Sequence, residues 1–246
     1  MFTTQHFIWL VVCALVIFLI VFLNKKFKFT LRQNIVALFI VSVIAETFII
    51  FSRMEYVEGL DFDTSGYYLS PEFLPLHLCG MQMLFVTALM FFIKKDSTRN
   101  ALLCFMFPTT IIGAAFALLI PTSGVDFADP RVYEYFLFHA YLIGFGIYLI
   151  ACKAIQFTFK DMFRNMLIML GILVLGIYIN SILSYGRFNF LFLSRPPMEN
   201  LPILNTNNGW HVYFITLLGI GLFLLTAFQF PFAYRNYIKT KNVKSE

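Results

Sequence analysis

Four polar side chains in this 246-residue sequence carry chemistry that a membrane-spanning helix does not need: Cys79, His139, Glu46 and Asn180. A thiol and an imidazole within reach of each other suffice for acyl transfer, the thiolate attacking an ester carbonyl while the imidazole removes and returns protons. Each residue also has a plainer use. A free cysteine in an apolar helix is usually a small hydrophobe, a lone buried histidine usually a satisfied hydrogen-bonder, and a buried glutamate or asparagine often a contact across helices. Depth sets these four apart. At a rise of about 1.5 Å per residue, Cys79 lies about 6 Å from Pro75, His139 about 9 Å from Tyr133, Glu46 about 11 Å from Arg53 and Asn180 about 8 Å from Tyr185. Four segments thus bring a thiol, an imidazole, a carboxyl and an amide into one layer. Tyr135 lies one turn before His139 on the same face and Gly146 two turns after it. Placed in the first turns of a helix starting at Pro75, Cys79 feels a dipole that favours negative charge. His77, two positions from Cys79, is turned to nearly the opposite face and is expected at lipid headgroups. Cys13, Cys104 and Cys152 keep the plain reading.

The elements that position these residues are membrane helices. Of the sequence 60% is hydrophobic and 13% charged, with 32 phenylalanines; a soluble domain carries roughly 25% charge. Seven apolar runs approach the roughly 20 residues needed to cross a bilayer, over 6–23, 34–52, 75–93, 100–120, 133–152, 165–185 and 210–231. Pro108 removes a backbone hydrogen bond from the fourth, which is tolerated where a neighbouring helix covers the freed carbonyl. The first run has no basic region before it and reads as a retained helix. The sequence therefore predicts an all-α, polytopic membrane helix bundle of about seven transmembrane helices forming one domain over 1–246.

Fourteen of the 18 basic residues follow the first, third, fifth and seventh runs. Arg53, Arg131, Arg187 and Arg195 lie on the other side, so the positive-inside rule puts the N-terminus out and the C-terminus in. The reactive layer then falls in the outer half of the bilayer, and no polar group is expected deep in the cytoplasmic half. The long connections 53–74, 121–132 and 186–209 lie outside and are expected to be irregular. Trp210 and Tyr213 read as an aromatic belt, with His211 interfacial too. The basic clusters are topology signals, which excludes a nucleic-acid partner, and the cysteine spacing indicates neither a disulfide framework nor a metal site.

Leu74-Pro75-Leu76-His77-Leu78-Cys79, Phe138-His139 and the run from Asn189 through Ser194-Arg195 to Pro197 resemble the YwaF-type bacterial integral membrane proteins, similar to the bacterial branch of the Transmembrane protein 164 family. The resemblance covers most of the chain from the third helix onward. It implies a multi-pass protein of the bacterial cell (plasma) membrane that moves a fatty acyl chain between lipids through a cysteine and a histidine, which fall on Cys79 and His139. Glu46, Asn180, Asn189 and His77 are the supporting candidates, with an oxyanion expected on Asn180, Asn189 or amides near Gly80. Arg187 and Arg195 could clamp a lipid phosphate. No cofactor is expected, and the expected partners are membrane phospholipids or lysophospholipids. Two other functions fit the same residues. One is a transporter or lipid-binding protein with Glu46, His139 and Asn180 as a polar seat; the other is a lipid-ester hydrolase in which water takes the acyl group.

Overall fold

The computed structural model describes residues 3–60, 64–184, 188–197 and 203–243. Among them are seven α-helices: α1 (Thr4–Phe27), α2 (Leu31–Arg53), α3 (Met81–Phe91), α4 (Asp96–Leu119), α5 (Pro130–Ala151), α6 (Phe159–Ser184) and α7 (Trp210–Val243). Their ends follow local chemistry. Thr30 and Gln33 form a capping box that starts α2, and Lys28 closes α1 in a left-handed conformation. At the start of α5, Asp129 accepts hydrogen bonds from the Arg131 backbone and guanidinium. These bonds hold its carboxyl down at about 2. A depressed folded-state value makes this cap fully effective above about pH 4, the unfolded range, and lost as pH falls toward 2. Amide protection in the first turn of α5 is expected to stay constant from about pH 5 to 8 and to fall below about pH 4. Asp129→Asn removes that dependence; a wild-type profile flat down to pH 3 would refute it.

Six of the seven helices are long and apolar enough to cross a membrane. The exception corrects the expected start at Pro75. The third apolar run is helical only from Met81, and residues 74–80 form consecutive turns instead. Cys79 therefore precedes α3 and does not sit in its first turns. Gly80, the N-cap, explains the compact bend: a Cβ there would stand 2.8 Å from the Pro75 Cα and 3.1 Å from its carbonyl carbon. Only glycine permits that approach of backbone to backbone. Non-helical backbone at membrane depth is tolerated where it is covered by protein or lines a cavity. Gln82 holds the turns in place, donating to the Leu78 carbonyl at 3.0 Å and to the Thr109 hydroxyl of α4 at 3.3 Å.

The tight core is α5 packed between α1 and α4. Lipid tails supply no hydrophobic drive between membrane helices, so close approach at small residues carries the packing. Gly144 admits Ile20 of α1, and Gly146 admits Thr110 and Ile111 of α4; an added Cβ would meet them at 2.8 and 2.6 Å. Trp9 stacks on Phe136 at 4.9 Å. By contrast, α6 and α7 pack mainly on each other and leave most of their surfaces exposed.

Two expectations about polar structure change here. Residues 53–74 are not an irregular loop: β1 (Met54–Leu60) and β2 (Thr64–Leu69) pair antiparallel, with Tyr56 opposite Tyr67 and their rings 5.4 Å apart. The bundle remains all-α apart from this hairpin. The end assigned to the cytoplasm also holds buried polar groups. Asn165 of α6 and Gln229 of α7 are fully buried and joined at 2.9 Å, and Asn165 donates to the Cys104 carbonyl at 2.8 Å. That carbonyl is the one Pro108 leaves without its helical donor. A polar pair this deep is stable because it satisfies a broken helix.

Candidate functional site

The unwound segment 74–80 faces a cavity of about 820 Å³ enclosed by α2, α4, α5, α6, α7 and the chain around 189–197. Cys79, His139, Glu46, His77, Asn189 and Arg195 all line it. The depth shared by Cys79, His139 and Glu46 thus corresponds to a shared space. The thiol leans on α4, where a Cβ added at Gly113 would lie 3.6 Å from the Cys79 Sγ; the bare glycine leaves that face of the sulfur free.

His139 is oriented by its own helix. Its Nδ1 is 2.5 Å from the Tyr135 carbonyl oxygen. A carbonyl only accepts, so Nδ1 carries the proton and Nε2 keeps the lone pair, the tautomer a general base requires. The Tyr135 ring lies 4.4 Å from the imidazole, while its hydroxyl donates to the Ala117 carbonyl at 2.9 Å. Tyr135 lines the same cavity as Cys79 and His139.

Asn180 behaves differently from its expected role. Its amide exchanges two hydrogen bonds with the Phe190 backbone, at 3.0 and 2.8 Å, and it is not part of the cavity wall. Asn189 is also committed to backbone: its Oδ1 accepts from the N–H groups of Ser194 and Arg195, and its Nδ2 donates to the Arg195 carbonyl. The two asparagines fix a loop whose Leu191 and Phe192 hold left-handed conformations, both at φ 57°. Such strain persists where surroundings over-determine it. Trp210 and Tyr213 add to it by donating to the Leu193 and Phe192 carbonyls. The buried Tyr213 is therefore a loop clamp, which corrects its assignment to an aromatic belt, whereas Trp210 stays exposed at the start of α7. Leu193 seats against α6 at Gly176, where a Cβ would meet its Cδ1 at 2.8 Å.

His77 does not point to headgroups. Its ring packs between Phe190 at 5.7 Å and Phe192 at 5.1 Å, so it forms the wall between Cys79 and the strained loop. Arg187 lies outside the described residues. Arg195 stands at the cavity with Arg53 and Arg131, and the Arg53 guanidinium sits 4.7 Å from the Phe73 ring centre.

Glu134 was missed. It lines the cavity with Glu46 and lies within the electrostatic reach of both Glu46 and Arg53. It is the second residue of the predicted fifth span, and a carboxyl in the first turn of an apolar helix was the available signal. Among the described residues no group of three or more His, Cys, Asp or Glu is arranged to hold a metal ion, and all four cysteines are free.

The model of the TMEM164 family matches residues 1–228, nearly the whole chain. The chain belongs to the TMEM164 family. Membership covers the first helix as well as the segment that carries the Leu-His-Leu-Cys run, so α1 is part of the family fold. The family description and the six long apolar helices together make this a multi-pass membrane protein. No curated protein and no solved structure matches the chain.

Proposed function

We propose that this TMEM164-family protein is a membrane-embedded acyltransferase, working between lipids of the plasma membrane through Cys79 and His139. The observation that carries this reading is the opening of both side chains onto one cavity, with the His139 Nδ1 proton fixed on the Tyr135 carbonyl. In the first half-reaction Nε2 takes the thiol proton and the sulfur attacks the ester carbonyl of a donor lipid. Among the described residues, the N–H groups of Cys79 and Gly80 donate to no backbone carbonyl. They are free to receive the oxyanion of the tetrahedral intermediate. Collapse breaks the donor C–O bond, Nε2–H protonates the departing lysolipid oxygen, and a thioester remains on Cys79. In the second half Nε2 deprotonates a lysolipid hydroxyl, which attacks the thioester and regenerates the thiol. Water in that position gives hydrolysis instead, and how far the bound lipids displace it sets the balance between the two outcomes. Arg53, Arg131 and Arg195 suit the phosphate of either lipid.

Intact-mass analysis of purified protein after brief exposure to mixed phospholipid is expected to show an added acyl mass on Cys79. The adduct should be sensitive to hydroxylamine and missing from Cys79→Ser. If wild type shows no adduct, or carries it equally in Cys79→Ser, covalent catalysis at this residue is refuted. Polar cargo moving with Glu46 and independently of Cys79 in proteoliposomes would favour transport instead.

A further inference from the structure

The cavity has a second compartment that the reacting groups do not use. Below Cys79 and Gly113 it continues between α4, α6 and α7, walled by Met169, Leu173, Leu217, Leu222 and Leu225. The charged groups collect at the upper end, and the one polar side chain on the lower wall, Thr109, spends its hydroxyl proton on carbonyls of its own helix. From Phe214 to Leu225, both on the wall, α7 rises about 16 Å, close to the roughly 15 Å of one leaflet of hydrocarbon. The compartment has a floor. One turn below Met169 lies Asn165, and one turn below Leu225 lies Gln229, the fully buried pair joined at 2.9 Å. That pair cannot be pushed aside cheaply, because it supplies the donor for the carbonyl freed by Pro108. The compartment also has a side entrance. It lies where the tight α1–α4–α5 core meets the loosely attached α6–α7 pair, and Gly221 on its wall is exposed, with nothing within 4 Å of an added Cβ.

We infer that this lower compartment is the seat of the transferred acyl chain and gauges its length against the Asn165–Gln229 floor. The inference rests on the acyltransferase reading for its purpose, though chain occupancy itself does not require catalysis. A chain entering sideways past Gly221 runs down to the floor and leaves its ester carbonyl at the level of Cys79. A chain of one leaflet's length fills the seat, and a short one leaves apolar wall uncovered. One methylene in an apolar pocket is worth about 10-fold or more in discrimination.

The test uses full-length protein in nanodiscs with a phospholipid bearing a diazirine at the terminal carbon of a palmitoyl chain. Photolabelling is expected on Met169, Leu173, Leu222 or Leu225 in wild type and equally in Cys79→Ser. Gly221→Phe puts a ring into the compartment and is expected to remove that label. It should also lower palmitoyl transfer relative to decanoyl transfer by about tenfold or more. Gly219→Phe, on the opposite face of α7 and equally unobstructed, should do neither. Label confined to the lipid-facing Leu175, Ile182, Ile215 and Phe223, or label at the floor unchanged by Gly221→Phe, overturns the inference. Floor labelling in a wild-type protein that transfers no acyl group supports the seat and refutes the proposed reaction. Transfer with no chain-length response in Gly221→Phe does the reverse.

Discussion

Cys79→Ala is expected to reduce acyl transfer to the uncatalysed background, and His139→Gln to lower it by about 10²–10⁴-fold, the range for loss of a positioned general base. The two substitutions should differ in kind. Without the sulfur no thioester forms, so no partial reaction survives. Without the imidazole the thiol persists, and at high pH, where the thiolate forms unaided, part of the first half-reaction should return. The double variant should be no worse than Cys79→Ala, since residues acting as a unit are not additive. Cys152→Ala, at a cysteine that does not line the cavity, should transfer at the wild-type rate. The measurement is initial rate of acyl exchange on mixed lysolipids across pH. A Cys79→Ala protein with wild-type rates would end the mechanism, as would a His139→Gln protein whose pH profile matches wild type.

Gly80→Ala is the second large effect, expected to lower transfer by about 100-fold while the helical bundle stays folded. The reason is backbone geometry. The new methyl would stand 2.8 Å from the Pro75 Cα, and neither partner is a flexible side chain that could turn aside. The turns 75–80 must open, which moves the Cys79 sulfur and the amides on either side of it. Displacement of about 1 Å at a reacting group costs about 10²-fold in rate. The bundle should tolerate the change, because the close approaches that join α5 to α1 and α4, at Gly144 and Gly146, lie outside this segment. Thermal unfolding in detergent, read beside the rate, separates the two effects: a rate loss with an unchanged transition is the expected pair. A transition lowered in step with the rate would mean that the turn is merely structural. An unchanged rate would mean that the turn does not position the thiol.

Much of the fold was legible because the bilayer imposes it. A run such as 100–120 can only be a spanning helix when each backbone group must be satisfied within the segment, and Pro108 announced that some neighbour would have to cover a carbonyl. The same logic misjudged 75–93, whose mean apolarity concealed a broken first half. The break depends on Gly80 meeting Pro75 and on Gln82 bonding the Leu78 carbonyl, contacts that hydropathy does not contain. Depth brought out Cys79, His139 and Glu46, which the fold gathers around one cavity. Depth also included Asn180, because distance along a helix axis says nothing about which way an amide turns. It passed over Glu134, and it placed His77 among headgroups before the loop from Phe190 to Phe192 was known to pack on it.

By itself, then, the sequence determined the solvent and the class of fold: its charge and apolar spacing leave room only for a helical membrane bundle, within which it set a cysteine and a histidine at one depth. The tertiary structure alone decided that these residues share a space, which nitrogen of His139 faces the Tyr135 carbonyl, and where the cavity ends. The physical reason is separation along the chain. The spans and their ends follow from contacts within a few residues, whereas the site joins Cys79 to His139 and its floor joins Asn165 to Gln229, pairs that only the packing of different helices brings together.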